Sequence, residues 1–248
     1  MKKNNKILLI GGSGSLGSSI LKLKLFKNID SPPRKDLNLL NTKSIKKFLN
    51  KKYNVIINCA ALARMRECEK EPEKAININI FGTLNLVSEI LSYQNRNKIK
   101  IKLIHISTDG VYESEKGNYK ENDFLKPYNV YGWTKLGAEL IVKMLEHFVI
   151  IRTRFFDKTK IRFDIAATDI KTSMLEVQQL AKEIKFISSK NFFGVINVGT
   201  SKKSDFFNYK KFKKIRCCKR KDILKNINFK IAKDSSMNLN LFRRLKKN

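Results

Sequence analysis

The chain has 248 residues, 42% hydrophobic and 30% charged, with 11 Gly and four Pro, a composition too apolar for a disordered chain and too irregular for a fibre. That length suits one large domain, or a domain with a small appendage, and excludes an array of many modules. Lys and Arg outnumber Asp and Glu by 52 to 22, a formal charge of +30 that invites anionic partners, and residues 202–248 alone hold 17 basic against three acidic side chains.

The elements follow in α/β rhythm. Lys6 to Ile10 is a short continuous apolar run, as in a strand buried on both faces. It runs into Gly11-Gly12-Ser13-Gly14-Ser15-Leu16-Gly17, after which Leu16, Ile20, Leu21, Leu23, Leu25 and Phe26 mark a helix. Ser31-Pro32-Pro33 breaks the chain, and a lysine-rich helix over Thr42 to Asn50 turns Ile45, Phe48 and Leu49 inward. Val55 to Ala61 reads as a second buried strand. The spacing of Ile76, Ile80, Leu84, Val87 and Leu91 predicts one helix from Pro72 to Tyr93. Ile101 to Ser107 is a third strand, 108–124 a loop, and a long helix follows Pro127 and ends near His147. Phe148 to Thr153 is a further strand. Beyond Arg154 the pattern thins to a helix over Met174 to Ile187, a strand over Gly194 to Val198 and a short helix over Phe206 to Phe212. Strands alternating with helices predict a Rossmann-type doubly wound parallel sheet over 1–155, with a small irregular C-terminal lobe over 156–248 packed on it.

The glycine pattern carries chemistry. With Gly11, Gly14 and Gly17 between strand and helix, a backbone free of Cβ atoms turns tightly and lets a pyrophosphate reach the helix N-terminal amides. Ser15 and Leu16 belong to the same turn. The acid that hydrogen-bonds an unmodified ribose belongs some twenty residues on, where Asp30 is a candidate; Arg34 and Lys35 beside it suit a ribose 2′-phosphate, so NADP(H) is favoured over NAD(H).

Tyr131 and Lys135 lie four residues apart, on one helix face, where the ammonium is expected to lower the phenol's pKa towards neutrality. Thr108 stands just past the third strand, where parallel sheets open onto ligand crevices, and its hydroxyl is placed to orient a carbonyl. Glycine turn, strand-end hydroxyl and Tyr/Lys helix in that order make chance coincidence improbable.

The stretches GGSGSLGSSI (11–20), Asp36-Leu37, INCAALARMRECEKEPEKAININIFGT (57–83), HISTDGVY (105–112) and PYNVYGWTKLGAE (127–139) together resemble the extended short-chain dehydrogenase/reductases, and within them the dTDP-4-dehydrorhamnose reductase-like group. The resemblance covers most of residues 6–155. It implies that Asp36 and Leu37 approach the adenine, that Ala60 and Ala61 line the cofactor cleft, and that Asn79 sits at the cofactor site and keeps sheet and helix in register. It implies further that Thr108, Tyr131 and Lys135 are catalytic, Tyr131 and Lys135 also touching the cofactor. Asp109, Arg64 and Tyr128 are candidate substrate contacts. Related 4,6-dehydratases carry an acid directly after the Thr-Asp of this loop; Gly110 stands here, which argues against dehydration. Ala232 to Asn238 is similar to a substrate-lobe motif of the group without its Arg-Pro opening.

The expectation is reduction of a 4-keto group on a nucleotide-activated deoxysugar, in polysaccharide synthesis. A nucleotide-sugar epimerase and a non-catalytic, cofactor-binding regulatory subunit are the alternatives, and a homodimer is admitted. Nucleic-acid binding is not expected, because a lysine-rich vocabulary at solvated positions accounts for the charge. Cys59, Cys68, Cys217 and Cys218 have no C-x-x-C spacing and His105 and His147 lie far apart, so no metal site is expected; His105 reads as a core or edge residue. The apolar run after Met1-Lys2-Lys3 stops at Ile10 and nothing approaches ~20 apolar residues, so a cytoplasmic protein without a membrane span is expected.

Overall fold

A computed structural model describes residues 5–247. The chain runs β1 (Ile7–Ile10), α1 (Ser15–Lys22), β2 (Ile29–Asp30), α2 (Thr42–Leu49), β3 (Val55–Asn58), α3 (Met65–Lys70), α4 (Pro72–Ile76), α5 (Gly82–Asn97), β4 (Lys102–Ile106), α6 (Val130–Val142) and β5 (Phe148–Arg152). It continues through β6 (Phe155–Phe156), β7 (Ile165–Ala167), β8 (Lys171–Thr172), β9 (Leu175–Glu176), α7 (Val177–Ser189) and β10 (Gly194–Asn197). Last come β11 (Lys203–Ser204), α8 (Asp205–Tyr209), β12 (Arg216–Cys218), α9 (Arg220–Leu224) and α10 (Asn240–Lys247).

Six strands form one parallel sheet in the order β10-β5-β4-β3-β1-β2. Successive side chains point to opposite faces, so a strand covered on both sides must be apolar throughout, and β1 and β3 are wholly buried. Ile7, Leu9, Ile57, Ile104 and Ile151 pack against α1, α7 and Phe242 of α10 on one face. Leu8, Ile10, Ile56, Leu103 and Ile150 meet Ile45 and Phe48 of α2 and Leu86 and Ile90 of α5 on the other. At Leu9, with no exposed surface, truncation to Ala costs about 2–5 kcal/mol.

Four features depart from the sequence reading. The helix expected over 72–93 is α4 and α5 joined by a wider, π-helical turn at Asn77–Phe81, and Ile76 and Leu84 on its expected inner face are 39% exposed. The extra residue in that turn rotates the stripe: Val87 faces inward as expected, but Asn79, Leu86, Ile90 and Tyr93 join it in place of Ile76 and Leu84. Helix α6 ends at Val142, five residues before His147, and α3 was not legible in the sequence. The division at 155/156 also crosses the sheet: β10 pairs with β5 in register from Gly194–Val149 to Asn197–Arg152, and α7 packs on α1.

The rest of the C-terminal half is three two-stranded ribbons, β6-β9, β7-β12 and β8-β11, with short helices between. A core of Val111, Tyr112, Tyr119, Met237 and Leu239 joins the 108–124 loop to the C-terminal segment. Beneath it, Arg152 and Glu139, both without exposed surface, form a paired salt bridge at 2.7 Å, and Ser107 donates to Glu139 at 2.5 Å. Arg152 also donates to the Tyr112 hydroxyl at 2.9 Å, so one buried network ties α6 and β5 to the loop after β4.

Candidate active site

The C-terminal ends of β1, β3 and β4 face two adjoining cavities that share Gly14, Cys59 and Ala61. Gly11, at φ +84°, has its Cβ position against the Ala60 amide, and a Cβ on Gly17 would run into the Gly11 carbonyl. Both positions therefore need glycine, and the closeness they allow brings the start of α1 to the mouth of the crevice. Helix α1 has no side-chain cap, which leaves its first amides open to an anion. The Ser15 hydroxyl is itself engaged with Asp157 at 3.2 Å, so that residue offers its backbone.

The first cavity, about 430 Å³, is lined by Gly11 to Gly14, Ser31 to Arg34, Leu37, Ala60, Ala61 and Ile78, among others. Asp36 is exposed and outside this lining, in contrast to the expectation from the resemblance. Asp30 is taken as well: Tyr53 donates to it at 2.6 Å and Lys6 lies 3.8 Å away. What stands in its place is Ser31, the first residue past β2, whose buried hydroxyl has no hydrogen-bond partner. A buried hydroxyl left orphaned is costly, and Ser31 and Arg34 both line this cavity. Sequence reading passed over Ser31 because it looked for an acid; its signal was its position, directly after the strand where that acid belongs.

The second cavity, about 470 Å³, brings together Gly14, Ser15, Leu16 and Gly17 with Thr108, Asp109, Tyr128, Tyr131, Arg154, Phe155 and Tyr209. Asn129 caps α6 by accepting from the Gly132 amide at 2.8 Å, which fixes Tyr131 in the first turn, facing the crevice. Thr108 accepts from the Gly110 amide at 3.1 Å and donates to Asp109 at 3.1 Å. Asp109 also receives the Ser235 hydroxyl at 2.6 Å, so the C-terminal segment contributes to the site wall.

The electrostatics differ from the sequence expectation at one place. Burial raises the Tyr131 phenol above its ordinary value and the Asp109 carboxylate adds to the rise, while Thr108 beside it acts in the opposite direction. Lys135 does not meet the phenol. Its ammonium lies 3.0 Å from His105 Nε2, on the sheet, and burial lowers its pKa to about 8. The lowered phenol inferred from i, i+4 spacing is thus absent: the two residues share a helix face, but the buried lysine turns to a partner on β4.

Other expected contacts redistribute. Asn79 donates to Thr134 at 2.9 Å and to the Leu62 carbonyl at 3.1 Å, and accepts from the Leu62 amide at 2.8 Å; both ends of its amide hold the 60–63 segment against α6. That is the positioning role expected of it, and Asn79 lines neither cavity. Arg64 is exposed and lines neither cavity. The cleft's cation is Arg154, 3.7 Å from Asp205; burial opposes its charge, and Asp205 and Asp109 outweigh that opposition. Burial raises the pKa of both carboxylates while Arg154 lowers it. Trp133 is 55% exposed on the outer face of α6, whereas Tyr128 lines the cleft. Arg154, Asp205 and Tyr209 were not legible in the sequence, because they come from segments without a motif that meet only in the fold. Among the described residues no cluster of metal-ligating side chains occurs and no helix is long and apolar enough to cross a membrane.

Comparison with known proteins agrees with this arrangement. The spore coat polysaccharide biosynthesis protein SpsK of Bacillus subtilis is 29% identical over 192 residues, 75% of this chain and 63% of that protein. A dTDP-4-dehydrorhamnose reductase of Aggregatibacter actinomycetemcomitans is 29% identical over 60% of this chain and 50% of its own length. Methionine adenosyltransferase 2 subunit beta of Bos taurus is 30% identical over 56% of this chain and 43% of its own. The chain thus spans about half of these curated relatives, and under two thirds of each. The crystal structure of a dTDP-4-dehydrorhamnose reductase from Clostridium acetobutylicum superimposes with a TM-score of 0.81 at 28% identity, covering 98% of this chain and 92% of that one. That of the Bacillus anthracis dTDP-4-dehydrorhamnose reductase in complex with NADP shares the fold, with a TM-score of 0.84 at 22% identity over 97% and 92% of the two chains. The match to a whole family, over residues 5–190, takes in the glycine turn, Thr108, Tyr131, Lys135 and Arg154 at once, and the chain belongs to the family described as RmlD substrate binding domain.

Proposed function

We propose that this protein is an NADP-dependent reductase acting on the 4-keto group of a nucleotide-bound deoxysugar. The observation that carries the reading is the continuity of the two cavities: the glycine turn and the Tyr131 phenol line one crevice, with Gly14 in both walls. An oxidoreductase needs that juxtaposition, and a simple nucleotide-binding module does not.

The residues present fit a phosphorylated dinucleotide. The uncapped start of α1 offers amides to a pyrophosphate; Leu37, Ala60 and Ala61 give an apolar slot for a base; the orphaned Ser31 hydroxyl and Arg34 suit a 2′-phosphate where a ribose-binding acid is missing. The complex of the Bacillus anthracis protein with NADP supports the same choice. Bound there, the cofactor supplies the hydride; the protein supplies orientation and the proton.

Tyr131 is held protonated by its burial, so it enters the reaction as an acid, and the carbonyl oxygen of the substrate takes its proton. Thr108, on the next residues past β4, orients that oxygen and carries part of its growing charge. Asp109, Tyr128, Arg154 and Tyr209 present two kinds of acceptor and three donors to a polyhydroxylated ring. The likeness to proteins of polysaccharide biosynthesis and of dTDP-4-dehydrorhamnose reduction supports a sugar nucleotide as the class.

The test is mass spectrometry of dTDP- and UDP-linked 4-keto sugars incubated with purified protein and NADPH or NADH. A gain of two hydrogens with equal consumption of NADPH is expected. An isomeric product without net cofactor consumption would make the protein an epimerase. NADPH binding with no conversion across the panel would favour a regulatory subunit, as the methionine adenosyltransferase likeness suggests.

A further inference from the structure

Lys135 is buried inside the protein, and its charge state follows from counting hydrogens. The count starts at Asn58, the last residue of β3. The Ala60 backbone N–H donates to its side-chain oxygen at 3.1 Å. A backbone N–H cannot reverse its role, so Asn58 presents its NH2 group to the other side. On that side, across the β3–β4 pairing where Asn58 and His105 are direct partners, the His105 Nδ1 atom lies 3.4 Å away. The far nitrogen of the same ring, Nε2, is 3.0 Å from Lys135 Nζ. Asn58, His105 and Lys135 are at most 2% exposed, so water does not correct a wrong pairing.

A neutral imidazole carries one proton. With the proton on Nε2, every bond runs in one direction: Ala60 to Asn58, Asn58 to Nδ1, and Nε2–H to the lone pair of an uncharged Lys135 amine. With Lys135 as ammonium, Nε2 must accept, the ring proton moves to Nδ1, and two donors face each other across the Asn58 contact. We infer that His105 and Asn58 are positioning residues that couple the charge of Lys135 to the tautomer of His105, with Asn58 biasing the lysine towards the amine. Each proton that Lys135 gains costs the Asn58–His105 hydrogen bond.

The groups facing Lys135 from each packed element allow this. Cys59, following β3, is a thiol that burial pushes up to about 12, and so it is uncharged. His105 from β4 is held neutral by burial and by the lysine. Glu139, one turn along α6, favours the ammonium, but both its oxygens are claimed by Arg152 of β5 and one also by Ser107. The lysine, its pKa about 8, therefore titrates near working pH rather than standing as a permanent cation. The Asn58–His105 pair thus sets the upper pH limit at which Lys135 is charged.

The experiment needs no cofactor. The chain has two histidines, so protein labelled with ¹⁵N-histidine gives two pairs of ring signals, and His147→Asn identifies the pair from His105. Between pH 6 and 10 the His105 ring is expected to pass from the Nδ1–H to the Nε2–H form, with the same midpoint as the Lys135 side-chain ¹³Cε signal. Asn58→Asp keeps the size and the acceptor for Ala60 but accepts from Nδ1–H; it should hold the ring as Nδ1–H throughout and raise the lysine midpoint by about one pH unit or more. A tautomer that stays constant while Lys135 titrates, or an Asn58→Asp protein identical to the parent, overturns the inference. Should Asn58→Asp not fold, Lys135→Met serves: the ring should then be Nε2–H at every pH, and Nδ1–H would refute the role of Asn58. These outcomes stand apart from turnover, so a failed tautomer switch leaves the reductase reading intact, and a failed reductase assay leaves the switch intact.

Discussion

Removing one oxygen from Ser31 should move stability and cofactor affinity in opposite directions. In the free protein that hydroxyl is buried against Gly12 with no partner, so Ser31→Ala deletes an unsatisfied polar group and fills no space. Leaving such a group unpaired costs roughly 1–3 kcal/mol, of which about 1 is a fair share for a neutral hydroxyl at the edge of a cavity. For a chain of this length 1 kcal/mol raises the melting temperature by about 2–4 °C. With NADPH the sign reverses, because a hydrogen bond to a charged phosphate contributes about 1.5–3 kcal/mol, a loss of roughly 10- to 150-fold in affinity. Arg34 is exposed and its part is screened, so the buried hydroxyl should carry more of the discrimination than the guanidinium. Thermal unfolding without ligand, beside fluorescence titration with NADPH and NADH, measures both signs. Equal weakening for the two cofactors would show that Ser31 does not read the 2′-phosphate; a less stable free protein would show that its hydroxyl has a partner after all.

Tyr131→Phe should lower turnover by about 10²- to 10⁴-fold, the usual share of a general acid, while NADPH affinity stays nearly unchanged in the same titration. Gly17→Ala, whose Cβ would strike the Gly11 carbonyl, should abolish NADPH binding yet leave a protein with parental far-UV circular dichroism. Glu139→Gln leaves the Arg152 guanidinium buried and half-paired; chemical denaturation should read a loss of about 3–5 kcal/mol. Stability should climb with pH between 8 and 9: Lys135 and Lys102, both lowered by burial to about 8, have released their protons in the folded chain while the unfolded chain still binds them. Above pH 9 the buried Cys59 thiol, pushed up to about 12, works the other way, and Lys135→Met should flatten the rise below that point.

The sheet was legible because strands buried on both faces are apolar throughout: Ile7–Ile10 is an unbroken apolar run, and Val55–Asn58 and Phe148–Arg152 are apolar up to their last residue. Thr108, Tyr131 and the glycines were legible for a related reason, since each sits at a strand end or a first helical turn, where local sequence fixes position. Helical periodicity misled over 72–93 because one wide turn at Asn77–Phe81 shifts the register of everything after it, and such a turn has no composition of its own. The i, i+4 rule placed Lys135 on the face of Tyr131 correctly and its ammonium wrongly, because spacing along a helix says nothing of what the sheet beneath offers. His105, set aside as a core residue, is that offer. The boundary at 155/156 failed to follow the sheet for a similar reason: β10 is four residues whose membership depends on pairing with β5, a contact 45 residues distant.

The two cavities differ in chemistry, and the difference narrows what one ligand pair must look like. At the glycine turn the polar groups include helix amides, the Ser31 hydroxyl and Arg34, which suit an anion. Around Tyr131 the offers are mixed, with Asp109 and the nearby Asp205 raised towards neutrality by burial while Arg154 pulls both down. Such a wall returns neither strong attraction nor strong repulsion to a net charge, and it suits hydroxyl groups, which donate to a carboxylate and accept from a guanidinium at once. The Thr153 hydroxyl, in the lining of this cavity and without a partner, adds one more polar group to the wall. Open helix amides beside a wall suited to hydroxyl groups, with the Tyr131 phenol in the same crevice, support the sugar-nucleotide reading proposed above; a nucleotide alone would leave the second cavity's polar groups unanswered.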